Sequence, residues 1–246
     1  MTQKSKLRYA AAKTIGIDDI PVIDLQKTSS LDQRGTTSAE LVKAASEVGF
    51  FYVSGHAVPA ELCTRAVMAS RRFFELPEVT KAQIAVNQFQ RGWMRQGLTH
   101  LEGSATHDAK EVFFWGRDVD ADDVQVKEAL PLVYPNQWPD EDAPFLRTEI
   151  TPYYAHVMAL GLRILELLAI GLDVDPAIFK RAYEKPLGRG QLVYYPPICE
   201  ADIKAKRFGA AAHTDFGVLT ILQQDHVGGL QIMNRSGEWI EAPPIE

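Results

Sequence analysis

The chain has 246 residues, 46% hydrophobic and 24% charged, a globular composition with enough length for a large core. Its formal charge of -6 and the lack of a long basic run argue against nucleic acid and anionic membrane as partners. Two cysteines far apart, Cys63 and Cys199, make no disulfide framework and are expected as small buried or half-buried side chains.

Residues 1–19 form a polar lead without the apolar core of a signal peptide. Ile20–Leu25 reads as a short strand. A helix is expected over Ser38–Val48, with Ser38 as cap, apolar residues at helical spacing and Gly49 as its end. Phe50–Val53 reads as an aromatic strand stopped by Ser54 and Gly55. A second amphipathic helix runs from Pro59, where a first-turn proline is tolerated, to Leu76, and Pro77 closes it. Residues 87–116 are broken and strand-like, with strand character at 91–94 and 111–115. Residues 118–143, acidic and proline-containing, read as a long loop. Phe145–Leu172 is the longest helix, and Pro176–Tyr183 a short one. The stretch Val157–Leu172 holds Arg163 and Glu166, and is read as too short and too charged to span a bilayer. A cytoplasmic protein is expected.

After Gly190 the period becomes that of strands. Strands are expected over 191–195, over 213–224 with Val218–Leu222 at its centre, and over 229–233 and 238–241, the last two joined by a turn at Asn234–Gly237. Lys204, Lys206 and Arg207 read as a solvated loop. The order, helices first and then β-structure with tight turns, suggests a barrel or sandwich with helices packed outside it.

Of six histidines, His156 sits on a helix face, His100 and His107 flank a Gly-Ser segment, and His56 follows a strand end. Each is more simply structural. His213 differs, because it stands two residues before Asp215 at the head of an apolar strand. Residues i and i+2 of a strand share a face, so an imidazole and a carboxylate would converge. Two such groups make two-thirds of a two-histidine, one-carboxylate metal triad, which leaves positions open for other ligands. Alone, a His-x-Asp triplet is a weak signal.

Its surroundings are more specific. Residues 213–225 (HTDFGVLTILQQD) and 227–232 (VGGLQI) resemble the core block of the isopenicillin-N-synthase-like branch of the iron(II)/2-oxoglutarate-dependent oxygenases. Upstream, 194–197 (YYPP), 20–24 (IPVID), 49–56 (GFFYVSGH), 73–77 (FFELP), 91–93 (RGW) and 110–113 (KEVF) resemble the same family in the right order. The resemblance implies a mostly β core with α elements: a double-stranded β-helix (jelly roll) flanked by N-terminal and long central helices. It implies Fe(II) bound by His213 and Asp215, with 2-oxoglutarate and dioxygen as co-substrates. It also implies that Tyr195 lies in the pocket and hydrogen-bonds 2-oxoglutarate or substrate; the other reading of Tyr195 is a strand aromatic in the core. Leu219 and Ile221 would be wall residues, Trp239 a core residue, and Met94, Arg95 and Phe114 possible pocket residues.

The organisation so implied is a lead at 1–19, an N-terminal non-haem dioxygenase region at 20–125, a linker and long supporting helix at 126–187, and a partial dioxygenase β core at 188–246. The family pattern also has a second histidine and an Arg-x-Ser pair further along, the arginine meeting the distal carboxylate of 2-oxoglutarate in two hydrogen bonds. Neither lies before Glu246; His226 falls in a turn, and Arg235 is followed directly by Ser236. The expectation is therefore a C-terminal fragment loss, with the last core strands missing. The expected function is oxidation of a small organic substrate (hydroxylation, desaturation or ring closure) with release of succinate and CO2, by a protein that is a monomer when complete. The alternatives are an inactive remnant of the same fold, an ethylene-forming breakdown of 2-oxoglutarate, an oxidation without 2-oxoglutarate, and a jelly-roll domain with another divalent metal.

Overall fold

The computed structural model describes residues 20–98, 106–205 and 207–245; the polar lead, His100 and Lys206 lie outside the described residues. Strand β1 (Val22–Asp24) leads to helix α1 (Leu31–Glu47) and strand β2 (Tyr52–Ser54). The helix starts well before the expected Ser38. Ser30 caps it: Gln33 N–H donates to Ser30 Oγ at 3.2 Å, and Ser30 N–H donates to Gln33 Oε1 at 3.3 Å. Ser38 is instead buried inside the helix. At the other end Gly49 takes φ +84°, a left-handed conformation that glycine adopts without penalty, and its N–H returns to Ala44 C=O at 3.0 Å.

Helix α2 (Ala60–Phe74) begins after Pro59 as expected. Two short helices were not anticipated up to this point and beyond: α3 (Glu78–Ala82), directly after Pro77, and α4 (Val124–Lys127), inside the acidic loop. Between them lie strands β3 (Gly92–Met94) and β4 (Glu111–Gly116). Helix α5 (Pro144–Gly171) and α6 (Ala177–Ala182) follow, then strand β5 (Arg189–Tyr194). By length and composition α5 is long and apolar enough to cross a membrane, which corrects the expectation drawn from Val157–Leu172. A third short helix, α7 (Glu200–Lys204), is capped by Cys199, whose N–H donates to Asp202 Oδ2 at 3.0 Å. Cys199 is thus exposed and Cys63 half-buried. Arg207 pairs with Asp202 at 2.7 Å, so this part of the basic cluster is tied down. Strands β6 (Gln231–Met233) and β7 (Trp239–Glu241) form the expected hairpin, closed by Gly237 N–H to Asn234 C=O at 3.0 Å.

The strand expected over 213–224 is not formed; its residues belong to no ladder among the described residues. Strand identity needs a partner's N–H and C=O groups as well as β-favouring side chains, and only the second is present. Among the described residues the β-structure is drawn into three sheets.

Two units are distinguished. The first holds the chain up to Ala57, Leu160–Arg181 and everything from Leu219 on. Here β1 and β2 pair in parallel, Val22 opposite Tyr52, and Ile20, Ile232, Ile240 and Ala242 form a small core with Tyr52 and Leu230. The Tyr52 hydroxyl donates to Pro243 C=O at 2.6 Å. Arg163 donates to Leu25 C=O and, at 2.8 Å, to Thr28 Oγ1.

The second unit holds Val58–Ala159 and Ala182–Val218. Its antiparallel sheet runs β3–β4–β5, with Trp93 opposite Phe113 and Phe113 opposite Leu192. The central strand β4 is buried from Val112 onward, which explains its unbroken apolar run. Phe73, Phe113, Leu146 and Ile150 anchor the core, each fully burying a large side chain for roughly 1.5–3 kcal/mol, and Trp115 packs with them. Phe73 meets Phe113 edge to face at 5.1 Å.

Candidate metal centre

His213 and Asp215 belong to the second unit and follow α7 in a segment of irregular backbone. The structure brings them together: His213 Nε2 lies 3.3 Å from Asp215 Oδ1. The expected reason, a shared strand face, does not apply, because no strand forms. The ring is held instead from its other nitrogen, with Nδ1 2.7 Å from the Ala211 carbonyl oxygen. A carbonyl can only accept, so the proton of this bond sits on Nδ1, and Nε2 is left facing Asp215. Both side chains are open to solvent, 43% and 52% exposed, so a small ion can reach them.

Tyr195 lies just past β5, its ring against Gly209; a Cβ on that glycine would stand 2.7 Å from the ring. Half of Tyr195 is exposed, which does not match a strand aromatic packed in the core. Even so, its phenol is pushed above its ordinary value, first by desolvation and second by the Asp108 carboxylate. The hydroxyl therefore stays protonated, and able to donate, across the neutral range. Phe114 is buried in β4, with the Arg189 guanidinium 5.5 Å from its ring centre. Leu219 and Ile221 are half-buried. Among the described residues, no group of three His, Cys, Asp or Glu side chains gathers.

Residues 20–141 match the family described as non-haem dioxygenase in morphine synthesis, N-terminal, and residues 190–246 match the 2OG-Fe(II) oxygenase superfamily. A 2-oxoglutarate-dependent dioxygenase of Penicillium crustosum is 32% identical over 92% of this chain and 71% of its own length. The chain belongs to the 2-oxoglutarate- and Fe(II)-dependent oxygenases. These oxygenases are enzymes that use Fe(II), 2-oxoglutarate and dioxygen. A second relative, a 2-oxoglutarate-Fe(II) type oxidoreductase of Emericella nidulans, is 33% identical over 92% of this chain and 66% of its own length. The chain thus spans 66% of the one relative and 71% of the other.

Solved oxygenases share its fold. A 2OG-Fe(II) oxygenase family protein of Caulobacter crescentus superposes with TM-score 0.76 at 27% identity, covering 92% of this chain and 71% of that one. A Neurospora crassa protein solved with alpha-KG and thymine superposes with TM-score 0.80 at 23% identity, covering 96% and 74%. The His213 imidazole and Asp215 carboxylate suit the iron of such oxygenases: a neutral nitrogen donor and a charged oxygen donor, close enough for one ion to touch both. The two-residue spacing signals the proximity of these side chains, whereas no side-chain motif signals the Ala211 carbonyl.

Proposed function

We propose that the protein is an oxygenase in which His213 and Asp215 are two of the ligands of the catalytic Fe(II). The observation that carries this reading is the 3.3 Å approach of His213 Nε2 to Asp215 Oδ1 within the stretch matched by the oxygenase family. When bound, Fe(II) supplies the activation of dioxygen. The residues do the rest. Asp215 brings negative charge that offsets the cation. His213 offers Nε2 because Nδ1 is occupied by Ala211. Tyr195, kept protonated, donates a hydrogen bond to an oxygen of 2-oxoglutarate or substrate.

The proposed overall reaction consumes 2-oxoglutarate, dioxygen and a small organic substrate with a C–H bond. One oxygen atom enters succinate as CO2 leaves, and the other enters the substrate as hydroxyl or leaves as water after desaturation or ring closure. The substrate class is a small organic molecule.

The test is dioxygen-dependent succinate release by the protein as its gene encodes it, assayed against a panel of small acids, amines and nucleobases. Succinate release is expected in the wild type and expected to vanish in His213→Ala and Asp215→Ala. Wild-type rates in either variant would overturn the ligand assignment. Tyr195→Phe is expected to raise KM for 2-oxoglutarate or substrate; an unchanged KM for both would return Tyr195 to a packing role.

A further inference from the structure

Asp108 stands just ahead of β4 and is 1% exposed. A buried carboxylate is costly unless it is paired and hydrogen-bonded. Lys110 Nζ stands 2.9 Å from its Oδ2, and the Ala211 N–H donates to its Oδ1 at 3.0 Å. The next residue adds a second tie, with Ala109 N–H donating to Phe208 C=O at 2.8 Å. Residues 208–211 lie in no helix or strand, so these two bonds supply order that secondary structure does not. Ala211 is also the residue whose carbonyl receives His213 Nδ1 at 2.7 Å. Its N–H and C=O are thus both engaged, one by Asp108 and the other by the histidine.

We infer that Asp108 is a positioning residue for the metal site: by holding the Ala211 N–H it fixes the Ala211 carbonyl, which holds the His213 ring in the Nδ1–H tautomer with Nε2 facing Asp215. The inference rests on the reading of His213 as an iron ligand. Groups that orient a metal-bound histidine set its tautomer and ring angle, and their loss costs roughly 10- to 100-fold in metal affinity. Lys110 supports the arrangement by neutralising the carboxylate, which leaves Oδ1 to the backbone.

Two measurements on the full chain test it: the His213 tautomer from ring 15N shifts without metal, and Mn(II) affinity by electron paramagnetic resonance. The wild type is expected to show the Nδ1–H form. Asp108→Ala is expected to mix the tautomers and to weaken Mn(II) binding roughly 10- to 100-fold. Asp108→Asn, whose amide oxygen still accepts from Ala211, is expected to restore the tautomer. Wild-type tautomer and affinity in Asp108→Ala would overturn the inference. His213→Ala separates the two readings. If it leaves Mn(II) affinity unchanged, the ligand assignment fails. If it abolishes binding while Asp108→Ala does not weaken it, only the inference about Asp108 fails. Should Asp108→Ala not fold, amide exchange in the wild type decides: a protected Ala211 N–H supports the bond to Asp108, and exchange at the free-peptide rate rejects it.

Discussion

Lys81 is 5% exposed, so its ammonium depends on the groups around it. It donates to Phe74 C=O at 2.9 Å and pairs with Glu111 Oε2 at 2.7 Å. The same oxygen accepts from Trp93 Nε1 at 2.9 Å, and the ammonium lies 5.1 Å from the Trp93 ring. One carboxylate therefore satisfies a cation and an indole in the floor of the β3–β4–β5 sheet. Glu111→Ala should cost about 3–5 kcal/mol in urea unfolding, since it leaves a buried charge and a buried N–H without that partner. The double replacement Lys81→Met with Glu111→Leu should recover most of that loss, because paired charges and packed apolar groups are often close to equal. If Glu111→Ala unfolds at the wild-type urea concentration, the pair contributes no stability. The site shows the same contrast between what adjacent residues signal and what distant ones do. His213 and Asp215 are two residues apart and could be read together, whereas the bond from Asp108 to Ala211 joins residues that no local pattern connects.

Elements with a local stop or start signal were legible: Pro59 before α2, Gly171 at the end of α5, the Asn234–Gly237 turn between β6 and β7. The start of α1 was not, because Thr36, Thr37 and Ser38 look like a polar boundary while Ser30 and Gln33 make the actual cap. This misplacement has a measurable consequence. Ser30→Ala should cost about 1 kcal/mol, since it orphans the first-turn N–H of Gln33. Ser38→Ala should cost nothing or stabilise slightly, since the buried Ser38 hydroxyl has no hydrogen-bond partner among the described residues. Thermal unfolding of the two variants checks the order; a larger loss for Ser38→Ala would restore the cap to the later serine. Helices α3, α4 and α7 span five, four and five residues, too few for an apolar period to register. The segment 213–222 fails in the opposite sense: its β-favouring side chains promise a strand, but Phe216, Val218 and Leu222 stay exposed, and no partner strand pairs with them among the described residues.

Stability of the protein as a function of pH should be limited on the alkaline side. Tyr153 and Tyr154 lie side by side on α5, and burial pushes both phenols from 10.0 up to about 12. Nearby Cys63 adds to the rise for Tyr153; for Tyr154, Arg91 and Arg117 oppose it. The Tyr154 hydroxyl also donates to Gly188 C=O at 2.9 Å, a bond available only to the protonated form. The sign follows from proton counts. Below pH 10 both phenols are protonated whether the chain is folded or not, and their contribution is fully present. Between pH 10 and about 12 the unfolded chain gives up protons that the folded chain keeps, so stability falls as pH rises through that window. The loss should be on the order of 2 kcal/mol for the pair once partial solvent screening is allowed for. Urea midpoints measured at pH 8, 10 and 11.5 should fall steeply over the last interval in the wild type and much less in Tyr153→Phe with Tyr154→Phe. The double variant should start lower by about 1 kcal/mol at pH 8, because the bond to Gly188 is gone. Equal slopes in the two proteins would show that other groups govern the alkaline limb.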